Sequence, residues 1–518
     1  MTQAELGLHT IGRWTAERAK STPERIAVDD RGVRLTYSTL DTRAENLAQL
    51  LLDSGLGIGD RIATLSGNSA DHVVLFFACA KAGLVLVPLS WRLSPREIAE
   101  QLAKADPALL VVDEEFSSLA DAALKLMVDP VPTANFGLLA IELSVPTPKR
   151  DPNLEPVRGP VRDDDALLIT FTSGTTATPK APVLTHSNCF WTNLSLSMVA
   201  NLTSEDVVLS VMPQYHAGGW NIQPLLAWWL GATVILERTF DPGRVLHLIT
   251  QRKITSMMGV PANYLFLAEH PDFQSADLST LKHAIVGGAP MPEPLLRLWH
   301  SRGVSLTQGY GLTEASPNVL CLADEDARDR VGSAGKPYPH VQVKVVDPAT
   351  GEELSGAAKG ELLVGGPGVF QGYFRDEEAT AQTLRDGWLH TGDLVDRDAD
   401  GYFRIIDRLK DIFITGGESV APAEIESVLH GHPGVADVAV IGVPDERWGE
   451  VPIGFVVRRK GVPTDEIELS QFCQQQLAKY KVPKRFFWLD SIPRSGSNKV
   501  MRRVLEAQYQ MQAQMERL

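Results

Sequence analysis

Ten consecutive residues, Phe171-Thr-Ser-Gly-Thr-Thr-Ala-Thr-Pro-Lys180, carry five hydroxyl side chains, one glycine and one lysine. An apolar run, Ala166 to Ile169, precedes them and reads as a strand. Hydroxyls and free backbone N–H groups can wrap a polyphosphate, and a lysine adds a point charge. Taken alone, the stretch also fits a plain polar turn. A P-loop is excluded, because that motif needs a glycine before its lysine and Ser or Thr after it. Here Pro179, which has no N–H, precedes Lys180, and Ala181 follows.

Further segments follow along the chain. They are Met212-Pro-Gln-Tyr-His216-Ala-Gly-Gly-Trp220, Gly287-Gly288-Ala289-Pro290 and Gln308-Gly309-Tyr310-Gly311-Leu312-Thr313-Glu314. Then come Thr391-Gly-Asp393, Asp407-Arg408-Leu409-Lys410-Asp411, Ile414-Thr-Gly416-Gly417-Glu418 and Pro493-Arg-Ser-Gly-Ser-Asn-Lys499. Each is modest alone. In this order, between about residues 25 and 503, they resemble the adenylate-forming superfamily: acyl-CoA synthetases, peptide-synthetase adenylation domains and luciferases. The chain is most similar to a fatty or aryl acid–CoA ligase. It departs from the family pattern at Ala177, Ala181 and Asn498, where glycines are usual, and at Pro182.

The resemblance implies a reaction in two steps. A carboxylate attacks the α-phosphorus of ATP to give an acyl-adenylate and pyrophosphate, and then the thiol of coenzyme A displaces AMP. Both partners of the first step are anionic, so charge must be neutralised where it grows. By resemblance, Lys499 bridges the carboxylate and the α-phosphate, and Glu314, with Thr172, holds Mg²⁺. Thr172, Ser173, Gly174, Thr175, Thr176 and Lys180 form the phosphate loop. Gly288, Ala289, Pro290, Gln308, Gly309, Tyr310, Gly311 and Thr313 form the adenine and magnesium turns. Asp393 takes the ribose hydroxyls, with Arg408 as a second contact. Lys410 matches the hinge about which the C-terminal domain turns between steps. Gly416 and Gly417 line the pantetheine passage, and Tyr480, with Lys481 and Lys484, meets the CoA nucleotide. His216 stands in the acyl-pocket segment and counts with Lys499, Glu314 and Thr172 among the catalytic candidates.

The acyl motif narrows the acid. It has no Asp to pair with an ammonium, which argues against a free amino acid, and no Arg to meet a second carboxylate. Tyr215, Trp220, Leu312 and Val319 suggest an apolar pocket. A medium- or long-chain fatty acid is the first expectation and a hydroxycinnamate-like aryl acid the second. Trp220 matches a tunnel-gating position in some fatty acid ligases, although a buried Trp is commonly core. Trp228 and Trp229 read as packing residues. Transfer to a carrier protein and a degenerate, non-catalytic nucleotide binder stay open.

These groups need elements to hold them. The chain has 518 residues, 44% hydrophobic and 22% charged, an ordinary globular balance. Helix and strand patterns alternate early: strand at Val33 to Thr36, helix through Leu40, Ala44, Leu47 and Leu51, strand at Arg61 to Leu65. The region from Pro146 to Asp165 reads as a surface connection. From Val331 to Ile406 short β runs suggest a small barrel or antiparallel sheet. A last α+β unit follows. The expected fold is α/β, mixed α+β: a large N-terminal domain, residues 1–409, of helix-covered sheets with a small β-barrel, and a smaller mobile C-terminal domain, residues 410–518.

The net charge of −15 argues against a general nucleic-acid binder. Cys79, Cys189, Cys321 and Cys473 are far apart and read as free thiols in a reducing compartment. The N-terminus lacks a secretion-signal pattern, and the apolar stretch from His72 to Leu89 is broken by Lys81, Gly83 and Pro88. A cytoplasmic protein without integral membrane association is expected, with an acid, ATP and CoA as partners. A homodimer is compatible with the sequence.

Overall fold

The computed structural model describes residues 7–136, 146–149, 155–172, 179–289, 291–415, 418–445, 447–495 and 499–515. Two large sheets form the body. One has seven strands, with Arg61–Leu65, Val85–Leu89, Leu109–Val112, Thr133–Asn135 and Ala166–Ile169 parallel. Pro182–Thr185 and Gly372–Tyr373 add to it antiparallel. The other has nine strands, whose centre is parallel: Leu306–Tyr310, His283–Val286, Ser256–Gly259, Val207–Ser210, Thr233–Leu236 and Ile26–Asp30.

The apolar stretch at His72 to Leu89 is a buried helix, Ala70–Ala82, and a buried strand, Val85–Leu89. The Ser69 hydroxyl accepts from the His72 N–H to start the helix, and Gly83, at φ 72°, ends it. Among the described residues no helix is long and apolar enough to cross a membrane. Three of the cysteines are buried and Cys321 is half-buried; all are free thiols.

A five-stranded antiparallel sheet occupies the β-rich region, with Trp388–Arg397 at its centre between Ala358–Gly365 and Phe403–Arg408. A fourth sheet is built wholly from residues after 412 and buries apolar clusters of its own. The unit also carries helices Pro422–His430 and Glu466–Gln476. Helix Arg502–Met515, which follows the Lys499 segment, was not anticipated. Leu505 and Tyr509, one turn apart, pack it against the apolar cluster of the last sheet.

That helix is held by its first residue. Arg502 Nε donates to the Val440 carbonyl at 3.2 Å, and Nη2 donates to Glu426 at 2.8 Å. Its Nη1 lies 3.4 Å from Asp411. Burial raises the pKa of Glu426, and Arg502 opposes the shift. We expect Arg502→Met to leave a buried carboxylate without its cation, a loss of about 3–5 kcal/mol for such pairs. A group whose folded pKa is raised stabilises below its unfolded pKa and loses that contribution as pH rises. The fall in thermal midpoint should therefore be larger at pH 8 than at pH 5, as read by scanning calorimetry.

Candidate active site

The central parallel strands of both large sheets end on the site. In open parallel sheets ligands bind beyond the carboxyl ends of strands. Val207–Ser210 leads into the segment bearing His216, and His283–Val286 into Gly287–Ala289. Leu306–Tyr310 leads into Gly311–Glu314, and Ala166–Ile169 into Thr172. Two glycines in these turns are steric necessities. A Cβ at Gly311 would lie 1.5 Å from the Pro317 carbonyl oxygen, and Gly288 has φ 81°.

Thr172 and Lys180 pair across the base of a hairpin, each N–H donating to the other's carbonyl at 2.9 and 3.3 Å. Strand Pro182–Thr185 then returns antiparallel to Ala166–Ile169. A P-loop runs from strand into helix, whereas a strand follows Lys180 here, in agreement with its exclusion. Ser173, Gly174, Thr175, Thr176 and Ala177 lie outside the described residues, as do Pro290, Gly416, Gly417 and Asn498.

Lys180 Nζ sits 4.7 Å from the centre of the Tyr373 ring, and the Tyr373 hydroxyl donates to Glu314 Oε1 at 2.8 Å. Burial, then Glu314, raises the pKa of that hydroxyl and keeps it a donor. The backbone of Glu314 is fixed as well: its carbonyl accepts from the Phe370 N–H at 2.8 Å. Asn188, in the first turn of helix His186–Ser197, donates to the carbonyls of Pro367 and Val369 and so anchors that same strip. Tyr373 was not singled out from sequence, since no local pattern marks it.

Asp393 is buried on strand Trp388–Arg397, in register with Arg408. Its Oδ1 lies 2.8 Å from Arg408 Nε, and its Oδ2 accepts from the Tyr310 hydroxyl. Burial, then Asp393, raises the pKa of Tyr310 well above the ordinary tyrosine range. The end of strand Leu306–Tyr310 and the Thr391–Asp393 turn thus meet through one hydrogen bond. Gln308 Nε2 donates to the Ser333 carbonyl at 3.1 Å, and Gly309 lies on the same strand.

The Lys499 side chain is exposed. Desolvation, then Arg408, holds its ammonium below the usual lysine range, while Glu314 and Asp393 pull the other way. Lys499 therefore lies within electrostatic reach of both carboxylates. Its loop is closed by the Ser495 N–H donating to the Lys499 carbonyl at 2.8 Å. Just before Lys410, Asp407 Oδ2 accepts from the Ala423 N–H at 2.8 Å, tying strand Phe403–Arg408 to helix Pro422–His430.

Trp220 is fully buried, stacks on Phe76 at 4.4 Å and donates to the Gln214 carbonyl at 2.7 Å, the packing of a core residue. Lys481 is engaged by both Glu424 oxygens at 2.7 Å, so it is not a spare cation for a nucleotide, and Tyr480 beside it is exposed. His216 is half-buried, its ring 4.6 Å from that of Tyr215. Trp228 donates to the Ala27 carbonyl and Trp229 stacks on Trp14, both packing residues as expected. A cleft of about 270 Å³ lies beside Gln308 and Gly309, with Leu196, Ile285 and Tyr338 among its apolar walls.

The AMP-binding enzyme profile matches residues 15–374, and the profile of that enzyme's C-terminal domain matches 424–499. A feruloyl-CoA synthase from an Amycolatopsis species is 40% identical over 492 residues, covering 95% of this chain and 97% of the relative. An indoleacetate–CoA ligase from Aromatoleum aromaticum is 36% identical over 499 residues, covering 95% and 96%. The o-succinylbenzoate CoA synthetase of Bacillus subtilis, solved with its acyl-adenylate intermediate, superposes with a TM-score of 0.85 at 32% identity, covering 95% and 97%.

Asp393→Asn removes the charge opposite Arg408 and one acceptor of the pair. It should weaken AMP binding on the order of tenfold or more. Calorimetric titration with AMP measures this, and an unchanged affinity would remove Asp393 from the nucleotide site.

Proposed function

The chain belongs to the AMP-binding enzyme family, and from that premise we propose that it is an ATP-dependent aryl acid–CoA ligase. In the first step a carboxylate oxygen bonds to the α-phosphorus and the bond to pyrophosphate breaks. In the second the thiolate of coenzyme A bonds to the acyl carbon, the acyl C–O bond breaks, and AMP leaves. The observation that carries this reading is convergence on Glu314. Tyr373 joins it to Lys180, and the Lys499 ammonium feels both it and the Asp393–Arg408 pair.

Each group has a task. Asp393, ionised, accepts from ribose hydroxyls. Thr172 and Lys180 hold the two ends of the phosphate loop. Glu314 suits Mg²⁺, which binds through one or two carboxylates together with substrate phosphates and would there neutralise phosphate charge. Lys499 offsets the carboxylate and α-phosphate together, and removing such a clamp lowers rates by roughly 10²–10³. Lys410 is the hinge between residues 1–409 and 410–518. Its rotation withdraws Lys499 and admits the thiol past Gly416 and Gly417.

The aryl alternative now stands ahead of the fatty acid. Feruloyl, indoleacetate and succinylbenzoate relatives support it. The core packing of Trp220 weakens the argument for a tunnel.

The test is incubation with Mg-ATP, CoA and a panel of aryl and fatty acids, followed by mass detection. AMP with an aryl thioester is expected, and ADP would overturn the reading because it reports γ-phosphoryl transfer. Lys499→Ala should lose pyrophosphate exchange by 10²-fold or more while still converting preformed acyl-AMP and CoA to thioester. Equal loss in both half-reactions would remove Lys499 from the first step.

A further inference from the structure

Arg459 Nη1 donates to Glu269 Oε1 at 3.3 Å, an ion pair between positions 190 residues apart that lie on opposite sides of the proposed hinge at Lys410. Each partner is fixed within its own unit. Arg459 directly follows strand Gly449–Arg458; its N–H donates to the Gly434 carbonyl at 2.8 Å and its Nη2 to the Val435 carbonyl at 3.3 Å. Glu269 is the last residue of helix Pro261–Glu269. The buried Tyr264 of that helix shares its hydroxyl between the carbonyls of Met257 and Ile285, at 3.2 and 2.9 Å, on strands Ser256–Gly259 and His283–Val286. The second of these strands leads into Gly287–Ala289 of the site. The ion pair therefore ties the last sheet to the framework that carries the site.

An acid in the last turn of a helix faces the negative end of the helix dipole, so Glu269 adds nothing to its own helix. The cation that offsets it comes from the other unit. A second contact crosses the hinge where Asp407 Oδ2 accepts from the Ala423 N–H at 2.8 Å. A bond beside a hinge leaves a unit free to swing about it, and a second contact farther along the chain opposes that swing.

We propose that the Arg459–Glu269 ion pair is a latch that holds the last unit with Lys499 turned toward Glu314 and Asp393. Arg459 and Glu269 are then positioning residues for the first step. The inference rests on the ligase reading with its movable last unit. Both side chains are about half exposed, and such pairs add little to folding stability. Two orientations of similar energy, however, need only a few-fold bias to change which one prevails. A stronger tie would hinder the turn that admits the thiol.

The test is charge reversal and charge exchange. The first step is read by pyrophosphate exchange with ferulate, or with whichever acid of the panel gives AMP. The second is read from the preformed acyl-AMP and CoA. Arg459→Glu and Glu269→Arg are each expected to slow the first step by about two- to fivefold, the range of an exposed pair, and to leave the second unchanged or faster. The double variant restores the attraction and is expected to recover the wild-type rate. Exchange unchanged in both single variants, equal loss in both half-reactions, or a double variant no better than the singles overturns the inference. Glu269→Arg leaves the contacts of Arg459 with its own unit intact and decides alone if Arg459→Glu does not fold. Hydrogen exchange at the Ala423 amide reads the orientation without substrate. It should be faster in the single variants and return to wild type in the double; no change in either single variant defeats the latch. No AMP with any acid defeats the ligase reading and the first-step role, and Ala423 exchange then still decides whether the pair holds the unit.

Discussion

Like charges repel, and the proposed first step brings a carboxylate against a triphosphate. At 4 Å two unit charges in a setting of effective dielectric near 20 interact by about 4 kcal/mol. The site therefore needs cations beside acids, each held by something other than the substrate. Lys180 is held over the ring of Tyr373, and Arg408 is held by Asp393. Lys499 is held by a small loop that Ser495 closes. The position of Glu314 is set by Tyr373 through its side chain and by Phe370 through its backbone. These supports allow the cations to wait in place before a ligand arrives, the preorganisation on which electrostatic catalysis depends.

The folding of the chain explains why those groups meet. Parallel strands present their carboxyl ends together, so turns far apart in sequence arrive at one edge. The Tyr310–Asp393 hydrogen bond joins the end of a central parallel strand to an antiparallel strand, across 83 residues. Asp407 does the same for the last unit by accepting from the first turn of helix Pro422–His430. That bond crosses the proposed hinge, since Asp407 precedes Lys410 and Ala423 follows it. A hinge turn that parts the two units would have to break it.

Much of this was legible in the sequence. Strand Arg61–Leu65 and strand Ala166–Ile169 follow from their apolar runs. Motif order carried the family, because several short segments in one sequence order are far more specific than any one of them. What stayed hidden depends on contacts distant in sequence. Tyr373 meets Glu314 across 59 residues, and Arg502 meets Glu426 across 76. Neither pairing leaves a local pattern. Trp220 could be read as gate or core until Phe76 was seen stacked against it.

The same reasoning explains why the identity of the acid was the weakest expectation. Residue types in a motif give polarity, but depth and the placement of a single acceptor come from elements the motif does not contain. An apolar composition around His216 is equally compatible with a hydrocarbon chain and an aromatic ring. Chain and ring differ little in transfer energy per unit of apolar area, so an apolar lining supplies affinity that many acids would share and leaves discrimination to polar contacts.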